Sequence, residues 1–142
     1  MGVKVGAAAL VLLAAIGVRA AGADTQKTTR DRVYTREQAA RGGKLYVKHC
    51  ERCHDPDKIP EGKKPGPPTV GPKFFEVWSD RTVGELFGSI LNTMPSDGSA
   101  FLTPDQTVDL VARLMQLNGF PEGTTPLKND EAMKAIVIVN VK

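Results

Sequence analysis

The sequence predicts a mainly α fold, with three to four short helices joined by long loops. Three observations carry this. S/T-x-x-E/Q capping patterns open three segments, at Thr35, Thr82 and Thr103. Apolar residues recur at helical spacing behind each of them. Between the first and second lies Asp55 to Pro72, where Pro56, Pro60, Pro65, Pro67, Pro68 and Pro72 alternate with Gly62, Gly66 and Gly71. No regular element is expected to survive that density of Pro and Gly.

Taken in order, residues 24–34 are polar and charged and read as a flexible lead-in. Thr35 as N-cap and Gln38 at N3 start a helix over Arg36 to His49, with Ala39, Gly42 or Gly43, and Tyr46 at helical spacing. After the proline-rich loop, Val83, Leu86, Phe87 and Ile90 form an apolar stripe over Val83 to Leu91. That helix stops before the loop "NTMPSDGSA". Pro104, at the favoured first helical position, opens a helix with Leu110, Val111, Leu114, Met115 and Leu117 on its apolar face. It ends near Asn118-Gly119. The tail predicts a short helix after Asn129 and then "AIVIVNVK", packed as an edge strand. The domain is placed at 35–120, with 121–142 as a C-terminal extension packing on it.

The first 23 residues read as a leader. Lys4 is followed by an uncharged run from Val5 to Val18, shorter than the roughly 20 apolar residues a membrane span needs. Ala21-Gly22-Ala23 is a small-x-small site, which places cleavage after Ala23 and the chain in the periplasm. An uncleaved N-terminal anchor is the alternative; stable membrane insertion is not expected. The whole chain carries a net charge of +3. Losing Lys4 and Arg19 with the leader leaves +1, which gives no reason to expect nucleic-acid binding. Asp24 to His54 is basic and Phe74 to Lys142 acidic, an asymmetry that either orients a partner or reflects two solvated faces.

Both cysteines and both histidines fall in "KHCERCHDPD", residues 48–57. A C-x-x-C pair serves a redox disulfide, a zinc site or covalent haem attachment. In an oxidising compartment the pair could bridge, but so short a loop would stabilise little. A thioredoxin-type disulfide belongs to a βαβ context, and no such pattern occurs. Tetrahedral zinc needs four ligands, and one contiguous turn cannot easily point His49, Cys50, Cys53 and His54 at one metal. Cys50-x-x-Cys53-His54 fits c-type haem: each thiol adds to one haem vinyl group, and the adjoining His54 becomes the proximal iron ligand. One covalent haem c also explains how a chain with so thin a core folds.

Here the chain resembles the class I (mitochondrial-type) cytochrome c family, over about Thr35 to Phe120. "GGKLYVKHCERCH" resembles the family's first helix, with Gly42, Tyr46 and Cys50 at four-residue intervals. The resemblance implies that the glycine lets this helix cross the last one closely, with the aromatic at the crossing. "VGPKF" resembles the Gly-Pro loop whose proline carbonyl accepts a hydrogen bond from the proximal histidine Nδ1, a role that falls on Pro72. "NTMP" resembles the distal-ligand loop and "DLVARL" the last helix, where Arg113 stands in place of a frequent aromatic. "MPSDGSAFLTPDQTVDLVARLMQLNGFPEG" is similar to the small cytochrome modules that accompany periplasmic quinoprotein alcohol dehydrogenases.

The distal ligand follows by elimination. His49 lies on the helix leading into the attachment site and reads as solvated or bonded to a loop. Met115 reads as core and Met133 lies in the tail. Met94 alone sits in a loop between helices, stiffened by Pro95. Phe74, Phe75, Trp78, Phe87 and Phe101 are candidates for lining the haem. Lys58, Lys63, Lys64 and Lys73 offer a docking patch or ordinary solvated surface. The reading is an exported monohaem single-electron carrier, not an enzyme. Its partners are redox proteins, a quinoprotein dehydrogenase as donor and a terminal oxidase as acceptor. A peroxidase-like haem enzyme with an open distal site, and a dedicated subunit of a dehydrogenase complex, are the alternatives.

Overall fold

A computed structural model describes residues 1–2, 26–59, 61–62 and 64–140. Most of the expected leader and Lys63 lie outside the described residues. Among the described residues no helix is long and apolar enough to cross a membrane. The architecture is mainly helical, as predicted: α1 Arg36–His49, α2 Glu51–His54, α3 Pro72–Trp78, α4 Val83–Thr93, α5 Pro104–Leu117 and α6 Glu131–Lys134. A single 3-10 turn at Pro56–Lys58 interrupts the stretch read as wholly irregular. Asp55 caps it by accepting from the Asp57 N–H, and Pro56 supplies a preset φ.

All three capping boxes form. Thr35 accepts from the Gln38 N–H, while Gln38 Oε1 accepts from the Thr35 N–H. Thr82 pairs with Glu85 and Thr103 with Gln106 in the same reciprocal way. Each box satisfies two amides that a helix start would otherwise leave unpaired. Gln38 does more: buried, it donates to Leu127 O at 2.8 Å and accepts from Leu127 N–H at 2.8 Å, tying α1 to the chain beyond α5. α4 runs to Thr93, two residues past the expected end, and its C-cap is Met94.

The scaffold is the crossing of α1 and α5. A Cβ at Gly42 would lie 1.8 Å from Asp109 O, so only glycine allows this approach. Arg41 clamps the crossing with a bidentate pair to Asp109, both bonds 2.7 Å. Arg113 of α5 also packs at this crossing. Its Nε and Cδ lie 3.6–3.7 Å from where a Gly43 Cβ would be, and Nη1 donates to Gln116 Oε1 at 2.6 Å. Its Nε is shut off from solvent with no hydrogen-bond partner, a cost to the crossing.

Three expectations are corrected. α3 is a helix that the sequence reading left out; at seven residues it carries no periodic stripe or side-chain cap. Pro72 at its first position and Gly71, at φ +72°, start it, and tertiary packing of Phe74 and Phe75 holds it. Phe75 meets Phe74 and Phe120 edge to face, at centroid distances of 5.5 and 6.0 Å. The lead-in is not a loose segment from residue 26 onward. Val33 and Tyr34 belong to the core, and Tyr34 Oη donates to Phe120 O at 2.7 Å. The tail packs too: Leu127, Met133, Ile136 and Ile138 are buried. It forms isolated bridges rather than a strand, joining Val137 to Thr28 on one side and Thr82 on the other.

Candidate haem site

Cys50, Cys53 and His54 stand at i, i+3 and i+4 of one helical turn, which puts them on one face. The turn is closed by Cys53 N–H to Cys50 O and His54 N–H to Cys50 O, both 3.0 Å. The two cysteines are free thiols. Burial pushes the Cys50 thiol up to about 11, with Cys53 beside it adding to the shift. The thiol is therefore protonated near neutrality. Among the described residues no three His, Cys, Asp or Glu side chains are grouped to hold a metal ion.

His54 Nδ1 lies 2.7 Å from Pro67 O. A carbonyl has no proton to give, so the ring must donate from Nδ1. In the neutral ring Nε2 is then the nitrogen with the free lone pair. Pro67, not Pro72, is thus the carbonyl partner. The sequence holds two Gly-Pro dipeptides, Gly66-Pro67 and Gly71-Pro72, and the second starts α3 instead.

The loop bearing Pro67 is fixed at several points. Gly66 N–H donates to Cys53 O at 2.7 Å. A Cβ on Gly66 would lie 2.9 Å from His54 Cε1 and 3.0 Å from Nδ1, so the bare glycine backbone lies flush against the ring. Tyr46 and Thr69 hydroxyls share a hydrogen bond of 2.7 Å. Asn118, buried at the end of α5, donates to Thr69 O at 3.0 Å and accepts from Gly71 N–H at 3.0 Å. None of Gly66, Pro67 and Asn118 was singled out from the sequence. The first two carry their role through backbone geometry, and only their closeness to Cys53-His54 could have marked them.

One cleft joins these groups to the loop that carries Met94. Cys50, Cys53 and His54 line it together with Leu86, Ile90, Met94 and Pro95. Phe74 and Trp78 of α3, with Leu110 and Leu114 of α5, also line it. The empty space in it, counting the part open to solvent, is about 1140 Å³. Its mostly aliphatic and aromatic walls, two thiols and an oriented imidazole fit a large apolar macrocycle.

Other candidates land elsewhere. Phe74 and Trp78 line the cleft; Phe75 and Phe87 are buried in the core outside it. Phe101 is 96% exposed and lines nothing. It follows the distal loop, where no repeat of apolar spacing told inside from outside. His49 is half-buried on the cleft wall, beside the attachment turn. Met115 is core, fully buried on α5. The lysine patch is weakened: Lys58 pairs with Glu51 at 2.7 Å and Lys73 with Glu76 at 2.8 Å, while Lys64 is exposed.

The family model described as cytochrome c oxidase, cbb3-type, subunit III, matches residues 37–113, from α1 through most of α5. No curated protein and no solved structure matches the chain. The match spans more than half of the sequence and contains the attachment turn, the Gly66-Pro67 loop and Met94. The chain belongs to this family of c-type cytochrome domains: it has a class I cytochrome c fold, carries covalently bound haem c and serves electron transfer.

Proposed function

We propose that the protein is an exported monohaem carrier that moves single electrons between periplasmic redox proteins. Haem c supplies a one-electron Fe(III)/Fe(II) couple and exchanges no atoms with a substrate. Cys50 and Cys53 tether it through thioethers. His54 offers Nε2 as proximal ligand, its ring held by Pro67 O; such a bond fixes the tautomer and raises imidazole basicity. Met94 would offer its thioether to the iron, a pairing with histidine that raises the reduction potential. The observation that carries this reading is the placement of all four side chains on one cleft, with the His54 Nδ1–H already engaged.

A quinoprotein dehydrogenase is the proposed donor and a terminal oxidase the proposed acceptor. The family's description as an oxidase subunit supports the acceptor side, and equally supports a dedicated subunit of such a complex. The test is the purified protein from an exporting host. Its mass should equal a chain starting at Asp24 plus one haem. The ferric protein should show the near-infrared charge-transfer band of thioether on iron. Carbon monoxide should bind the ferrous protein poorly. A wild-type protein that lacks the band and binds carbon monoxide at once has an open distal site, which favours a haem enzyme.

A further inference from the structure

The C-terminal tail supplies none of the residues that line the cleft, yet it grips the helix that ends in Met94. Residues 136–138 lie between two other segments. On one edge Val137 N–H donates to Lys27 O and Thr29 N–H to Val137 O, both 2.9 Å. On the other, Val83 N–H donates to Ile136 O at 2.8 Å, Ile138 N–H to Arg81 O at 2.8 Å and Asp80 N–H to Ile138 O at 2.9 Å. Val83 is the first residue of α4, and its amide has no partner within the helix. The tail therefore completes the cap that Thr82 and Glu85 begin. Ile138 and Thr29 are fully buried in this clasp, and Thr29 Oγ1 accepts from Val139 N–H at 3.2 Å. α6 lies directly on α4: a Cβ at Gly84 would stand 3.0–3.2 Å from Lys134 Cγ, Cα and N.

We propose that this clasp is a positioning element for the distal ligand, setting the place of Met94 by fixing the far end of α4. The proposal rests on the reading of Met94 as that ligand. Leu86 and Phe87 are buried and act as the pivot of α4. At 1.5 Å per residue, Val83 lies about 5 Å to one side of that pivot and Met94 about 11 Å to the other. Slack at Val83 is therefore roughly doubled at Met94. A clasp that only adds stability would change global unfolding. A clasp that positions Met94 also changes how often the thioether leaves the iron.

The test compares holoprotein variants Ile138→Val and Ile138→Ala with Ala39→Gly in α1, whose helix partner is α5. Three readouts are taken: the near-infrared thioether band, the rate of carbon monoxide binding to ferrous protein, and the guanidinium midpoint by circular dichroism. Because local opening is less costly than global unfolding, Ile138→Ala should speed carbon monoxide binding on the order of tenfold, and Ile138→Val by less. Ala39→Gly should lower the midpoint and leave the rate unchanged. If Ile138→Ala does not fold, Ile138→Val decides. An unchanged rate in the tail variants, or an equal rise in Ala39→Gly, overturns the positioning role while leaving Met94 as ligand. A wild-type protein without the band overturns the ligand reading, and this proposal with it.

Discussion

Gly66→Ala tests how the proximal imidazole is held. The new methyl would stand 2.9 Å from His54 Cε1, 3.0 Å from Nδ1 and 3.3 Å from Cys53 O. Ordinary carbon contacts begin at about 3.5 Å, so the ring and the loop must separate by about half an ångström. Two hydrogen bonds span that gap, Gly66 N–H to Cys53 O and His54 Nδ1–H to Pro67 O, each 2.7 Å. Overpacking of this kind costs about 1–3 kcal/mol of stability. The potential responds separately. The Nδ1–H bond makes the imidazole a stronger donor and so favours ferric iron. Its net worth of about 0.5–1.5 kcal/mol sets a ceiling on the effect, and 59 mV corresponds to about 1.4 kcal/mol for one electron. Gly66→Ala should thus raise the potential by up to about 60 mV. Redox titration and guanidinium melts measure both effects. Gly88→Ala is the control, since its methyl meets only Asn92 Nδ2, at 4.0 Å. It should add up to about 1 kcal/mol through helix propensity and leave the potential alone. A Gly66→Ala protein with unchanged potential and midpoint would refute the description of the loop pressed on His54.

The remaining predictions concern the scaffold and the surface. Arg113→Met keeps an unbranched stem on Gly43 and removes the unpartnered buried Nε, so it should stabilise by about 1 kcal/mol; a lower thermal midpoint would show that the Gln116 bond outweighs it. Tyr34→Phe removes the donor to Phe120 O and should cost about 1 kcal/mol by denaturant titration, with the haem spectrum unchanged. No loss would mean that water replaces the hydroxyl. Lys64→Glu should change electron transfer and its salt dependence little, because Lys58 and Lys73 are already paired and a Debye length is about 8 Å at physiological salt. A large rate loss at low salt would restore the lysine patch as a docking surface.

What the sequence revealed follows the range of the interactions involved. Capping boxes are local, so Thr35, Thr82 and Thr103 marked their helix starts directly. Cys50, Cys53 and His54 share one helical turn, so their pattern is local, and haem follows from it once the zinc and disulfide readings are set aside. Met94 stands out as the candidate by elimination, because Met115 lies on an apolar face and Met133 in the tail, and the structure places Met94 on the cleft. α3 was invisible because seven residues with one proline start carry no period; Phe74 and Phe75 fold it through Phe120, distant in sequence. The Pro72 assignment failed because two Gly-Pro dipeptides look alike in one dimension. Only the Gly66 N–H to Cys53 O bond brings the right one to His54. The clasp of residues 27–29, 80–83 and 136–138 joins three distant segments through backbone groups, which have no sequence signature.

The most direct test of the carrier reading is the proton NMR spectrum of the ferrous protein. A methionine bound to iron holds its methyl over the macrocycle, where the ring current shifts it far upfield. One such three-proton singlet is expected in wild type. It should persist in Met115→Leu and Met133→Leu and vanish in Met94→Ala. A singlet that survives in Met94→Ala, or a wild-type spectrum without one, would contradict the His54/Met94 site on which the account rests.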